Sequence, residues 1–110
     1  MVGTSIEASA VSPYGIWKRP ATGVLVRIFP CGGGIGVKVV KSSVRARIGK
    51  VFMCGAKKGS NGIFSGWLKH PESGGTYNGR ARFINARKVE LSGCIPNTIL
   101  CLSEVWRRVR

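Results

Sequence analysis

At 110 residues the chain has the length of one domain. Apolar residues make up 44% of it, enough for a packed core, yet no apolar run approaches the roughly 18–20 residues of a membrane-spanning helix. Eighteen Lys and Arg stand against four acids, all Glu, for a formal net charge of +14, and this leaves little for paired-carboxylate chemistry to work with.

Met1 to Ala10 ends on Ala8-Ser9-Ala10, the small-x-small pattern of a signal-peptidase site, with no charged or long apolar stretch ahead of it. Either the start of a leader is missing and the mature protein begins near Val11, or three small residues in a tail carry no meaning. Residues 1–13 are expected to be a disordered tail and 14–110 a single β-barrel domain.

Sixteen glycines punctuate the chain, and no piece between them carries the apolar spacing of an amphipathic helix. Strand-length segments rich in Val, Ile and aromatics are predicted at about 15–20, 24–30, 36–41, 49–54, 62–69, 76–85, 87–93 and 98–109. Val24, Val26 and Ile28 face one way and Leu25, Arg27 and Phe29 the other. Tyr77, Ala81 and Phe83 oppose Asn78, Arg80 and Arg82, and Val89 and Leu91 oppose Lys88, Glu90 and Ser92. A period of two marks a sheet with one dry face and one wet face. The last segment alternates less cleanly because Glu104, Arg107 and Arg108 interrupt it.

Cys31-Gly32-Gly33-Gly34-Ile35-Gly36 has the glycines of a phosphate cradle. The next segment, Val37-Lys38-Val39-Val40, is a strand rather than the helix such a loop needs, so a tight hairpin is expected there. Lys58-Gly59-Ser60-Asn61-Gly62 and Glu72-Ser73-Gly74-Gly75 are further turns. About eight short strands joined in order predict an all-β fold, a small antiparallel up-and-down barrel, which removes the exposed edges of its sheet.

The four cysteines, Cys31, Cys54, Cys94 and Cys101, contain no C-x-x-C pair, and His70 lies apart from them, so no metal site is expected. Cys94 and Cys101 flank a turn at Pro96-Asn97, where a hairpin can set their Cα atoms at disulfide distance. The alternative is a pair of buried thiols. With one His and no Ser/His/Asp or Cys/His set, the chain is expected to be no enzyme and to carry no cofactor.

The cations fall in groups: Arg45, Arg47, Lys50, Lys57 and Lys58 in the middle, Arg80, Arg82, Arg87 and Lys88 further on, and Arg107, Arg108 and Arg110 at the end. Their field concentrates anions, which points to anionic lipid, lipopolysaccharide or nucleic acid, unless the basic face serves solubility alone. Nucleic acid is the weaker partner. Most of the aromatics on which bases would stack sit at inward strand positions, and no RNA-recognition or helix-turn-helix pattern is present.

Gly15-Ile16-Trp17 opens the first strand and Trp106-Arg107-Arg108-Val109 closes the last, a pairing similar to that of lipocalins and the wider calycin group. There, a tryptophan plugs the closed end of the barrel beneath an arginine from the final strand. More narrowly, the chain resembles the small exported bacterial proteins of domain of unknown function 2147. The resemblance runs through Gly15-Ile16-Trp17-x-x-Pro20, Cys31-Gly32-Gly33, Gly66, Pro71-Glu72-Ser73-Gly74-Gly75-Thr76-Tyr77, Gly93-Cys94 and Cys101-x-x-Glu104-x-Trp106-x-Arg108-Val109. It implies a lipocalin-like barrel closed by Trp17 and Arg108 and a periplasmic or secreted address, which favours a Cys94–Cys101 bridge. It carries no settled activity. Family members usually have Asp where His70 stands and Trp where Phe64 stands. They often have a second cysteine at the position of Gly36, paired with Cys31; here Cys54 offers a replacement bridge, Cys31–Cys54.

The expected function is therefore that of a non-enzymatic envelope protein whose barrel holds a small apolar or amphipathic ligand. Phe64, Trp67, Tyr77 and Phe83 would line the pocket, and Arg45, Arg47, Lys57, Lys58, Arg80 and Arg82 would attract an anionic head group. The alternative is a basic surface module for nucleic acid, anionic lipid or lipopolysaccharide with no internal pocket. An eight-stranded interior is only just wide enough for one small ligand and is in many barrels filled by side chains.

Overall fold

Alternation decides which face of each strand is dry, and the dry faces are too short to be covered except by one another. In the computed structural model, which describes residues 12–70 and 74–110, eight antiparallel strands close into one barrel. They are β1 (Gly15–Lys18), β2 (Leu25–Cys31), β3 (Gly34–Lys41), β4 (Val51–Lys58), β5 (Phe64–Lys69), β6 (Thr76–Asn85), β7 (Lys88–Cys94) and β8 (Cys101–Arg108). Each strand pairs with the next, and β8 returns to β1 through Trp17↔Arg108 and Lys18↔Arg107. This is the up-and-down barrel that the strand pattern predicts. A single turn of 3-10 helix, Arg45–Arg47, lies in the β3–β4 connection, where the residue pattern predicts no helix.

Inward parity follows the sequence. Val26 and Ile28 on β2, Ala81 on β6, and Val89 and Leu91 on β7 are buried, while Arg27, Arg80 and Arg82 are exposed. With Trp17, Ile35, Val37, Val39, Phe52, Met53, Ala56 and Trp106 they form one apolar core. The β2–β3 hairpin turns on Gly32 and Gly33, both at positive φ (59° and 80°), the backbone of a two-residue turn whose twist matches that of the strands. The glycine run is thus a hairpin.

Several boundaries differ from the sequence expectation. β4 runs on to Lys58 instead of stopping at residue 54. The reason is Gly55: at φ 77° it forms a bulge, where three residues of β4 span two of β3 (Ile35↔Ala56, Val37↔Met53), and the strand continues beyond it. β1 ends at Lys18 because the Arg19 carbonyl accepts the N–H groups of Thr22 and Gly23 in a turn. β8 begins only at Cys101, since Ile95–Leu100 form a closed turn of their own. Of the expected N-terminal tail, residues 1–11 lie outside the described residues. Pro13 is placed: its carbonyl accepts the Trp17 ring N–H at 3.1 Å.

Candidate functional site

The two ends of the barrel are built differently. At the end where β1 starts and β8 finishes, Trp17 has no exposed surface. The Phe83 ring meets it edge-on at 5.6 Å, and Phe64 packs on Phe83 at the same distance. The Arg108 guanidinium covers the indole with its central carbon 4.4 Å from the ring centre. It also donates from Nε to the Ala86 carbonyl at 2.5 Å, from Nη1 to the Tyr14 carbonyl at 2.7 Å and from Nη2 to the Ser12 carbonyl. Indole, two phenyl rings and a bonded guanidinium shut this end.

The opposite end is open. A cavity of about 350 Å³ enters the barrel between the β1–β2 turn, the 3-10 turn, His70 just past the end of β5 and the start of β8. Its walls are apolar, from Val24, Val26, Val39, Phe52, Leu68 and Leu91, with Tyr77 and Trp106 adding rings that carry one polar atom each. Ser42, Arg47, His70 and Thr22 stand around it.

One polar cluster is set into the apolar wall. Glu104 shares the parity of buried Trp106 on β8, so its half-buried side chain stands at the cavity mouth. Arg19, just past the end of β1, meets its carboxylate with two bonds, Nε to Oε1 at 2.6 Å and Nη2 to Oε2 at 2.5 Å. The Trp106 ring N–H donates to Oε1 at 2.9 Å, and the Trp106 ring packs edge-on against Phe52 at 6.2 Å. The hydrogen bonds from Arg19 hold the Glu104 carboxyl below the usual carboxylate value; partial burial opposes this and the Trp106 bond adds to it. The carboxylate is thus charged, bonded on both oxygens and oriented.

A second recess, of about 450 Å³, lies at the closed end beside Tyr14, Pro30, the Cys31–Ile35 turn, Lys58 and Phe64. It is an open dish with glycines 32–34 for much of its wall, so it offers few side chains to a ligand.

Of the four residues expected to line a pocket, Tyr77 lines the mouth cavity. Phe64 and Phe83 belong to the closed-end plug, and Trp67 points outward on β5, 42% exposed. The four do not share one pocket: inward parity sets which residues face the interior, and position along the strand sets which end they reach. Sequence reasoning missed Arg19, Phe52, Leu68, Leu91, Glu104 and Trp106 as lining. An acid sharing the parity of Trp106 on β8 was the available signal.

The basic residues are dispersed. Arg47 stands at the mouth with Arg45 on the same turn. Lys57 and Lys58 end β4 near the closed end, and Arg80 and Arg82 project from β6, where Arg82 pairs with Glu90 at 3.0 Å. Both disulfides form, Cys31–Cys54 and Cys94–Cys101, with Cα separations of 5.2 and 4.0 Å. A Cβ at Gly36 would stand 2.6 Å from Cys31 Cβ and 2.9 Å from the Met53 carbonyl, so no side chain fits there unless the backbone moves.

The sequence model of a family described as an uncharacterised protein conserved in bacteria, DUF2147, matches residues 15–108. No curated protein and no solved structure matches the chain.

Proposed function

The chain belongs to the bacterial DUF2147 family, and on that footing we propose a non-enzymatic binding protein of the cell envelope that holds one small amphipathic ligand in the barrel mouth. The observation that carries this reading is the cavity itself. At about 350 Å³, with apolar walls and a few placed polar groups, it has the size and lining of a small-molecule site. The apolar part of the ligand packs against Val26, Val39, Phe52 and Leu91, and an anionic head remains at the rim with Arg47.

A non-enzymatic role agrees with the state of Glu104, the one acid among the residues lining the cavity. Glu104 is bonded to Arg19 and Trp106 and held in its charged form, so it is a poor acceptor for a substrate proton. The envelope address is supported by two disulfides in a bacterial protein, since such bonds persist outside the reducing cytosol. No helix among the described residues is long and apolar enough to cross a membrane.

Native mass spectrometry of protein isolated from its own host tests the proposal. A discrete adduct of one small molecule per chain, lost on activation, is the expected result. A spectrum of bare protein, unchanged after incubation with medium-chain fatty acids, would count against it.

A further inference from the structure

The β7–β8 turn is an apolar tip held in the open. Cys94 and Cys101 are joined across its base. Ile95 N–H donates to the Leu100 carbonyl and Thr98 N–H to the Ile95 carbonyl, while Asn97 takes the left-handed backbone (φ 63°) that closes the turn. The framework keeps large aliphatic side chains in water: Ile99 is 96% exposed, Leu102 83% and Leu100 63%. Isolated exposed aliphatics are ordinary, but three together, two on a stapled turn and one just beyond it on β8, form a patch that calls for a partner.

The surroundings say which partner. The tip stands at the mouth, where Leu102 lines the cavity and Val44, on the facing loop, is also exposed. Lys41, Arg45, Lys50 and Lys69 surround this end and are exposed, and the chain as a whole carries +14. The closed end is basic as well, through Lys57, Lys58 and Arg87, but its exposed apolar residues, Tyr14, Ile84 and Val109, are at most 46% exposed. Aliphatic side chains ringed by cations match a membrane interface whose headgroups are anionic and whose acyl chains lie just below.

We propose that the mouth end of the barrel docks on an anionic phospholipid surface, with Ile99, Leu100 and Leu102 inserted among the lipids and the basic residues of the mouth on the headgroups. In this orientation the cavity opens onto the bilayer. Docking does not depend on the cavity being occupied, so an empty cavity and a non-docking tip are separate failures.

Cosedimentation with phosphatidylcholine vesicles, with and without phosphatidylglycerol, tests this. Binding is expected to be about tenfold or more tighter on vesicles containing phosphatidylglycerol. The triple variant Ile99→Ser, Leu100→Ser, Leu102→Ser should keep the circular dichroism of the parent and bind these vesicles about tenfold more weakly. The pair Arg45→Glu, Lys50→Glu should weaken binding more than Lys57→Glu, Lys58→Glu at the closed end. The proposal is overturned if the triple variant binds as well as the parent, or if the closed-end pair has the larger effect. It is equally overturned if sedimentation velocity shows a dimer that the triple variant abolishes, because the tip would then cover a second copy.

Discussion

Arg108 stands over Trp17 with its guanidinium carbon 4.4 Å from the ring centre, and the same guanidinium is bonded to the carbonyls of Ser12, Tyr14 and Ala86. Because Arg108 also pairs with Trp17 in the β1–β8 ladder, one side chain ties together the first strand, the last strand and the β6–β7 turn. Replacing Arg108 by Ala is expected to lower unfolding free energy by about 2 kcal/mol, from loss of the cation–π contact and the charged hydrogen bonds. Arg108→Lys should recover only a minor part, since an ammonium cannot reach three carbonyls from one plane. Urea denaturation measures both, and an unchanged midpoint for Arg108→Ala would show that closure does not depend on it.

Glu104 sets a pH dependence whose sign is fixed by its environment. Arg19 holds its folded carboxyl below the unfolded value, so the folded state binds fewer protons there than the unfolded state. The stabilisation is fully present above the unfolded value and is lost as pH falls through the lower, folded one. Glu104→Gln should therefore be less stable than the parent at neutral pH, with the gap narrowing below about pH 4. Thermal melts of the two proteins between about pH 3 and pH 7 measure the gap; one that is constant, or that widens in acid, would contradict the assignment.

The two disulfides close loops of different length, with sequence separations of 23 for Cys31–Cys54 and 7 for Cys94–Cys101. In the loop-entropy picture they contribute about 3.5 and about 2.5 kcal/mol respectively. Cys31→Ser with Cys54→Ser is thus expected to lower the urea midpoint more than Cys94→Ser with Cys101→Ser. Alkylation in denaturant without reductant should label no cysteine, and after reduction all four; partial labelling without reductant would show that a bridge is missing.

The barrel was legible because three of its strands carry a strict period of two, and because Trp17 and Arg108 mark its first and last strands. The features that were not legible depend on contacts distant in sequence. Gly55 looks like a strand terminator and acts as a bulge because β3 supplies the opposite side of the ladder. Gly66 looks like a weak point in β5, yet a Cβ there would come within 2.9 Å of Ala56 Cα, so the glycine admits the neighbouring strand. Phe64 and Phe83 have the same inward parity as Leu68 and Tyr77. Their pairing partners, Ala81 and Val89, place them toward the plug, whereas Leu68 pairs with Tyr77 at the mouth. Alternation fixes the face; only the register of the closed barrel fixes the height. Trp67 could have been assigned correctly, since its neighbours two away, Ser65 and Lys69, are both polar and all three are exposed.

The central claim is that the mouth cavity takes a ligand, and filling it tests that claim most directly. Val39 is 3% exposed and lines the cavity, so Val39→Trp places an indole where the apolar part of a ligand would sit. Titration with 1-anilinonaphthalene-8-sulfonate, a fluorescent anionic amphipath, should give saturable binding of one molecule per chain in the parent and about tenfold weaker binding in Val39→Trp. No saturable binding in the parent, or equal binding in the two proteins, would contradict the account.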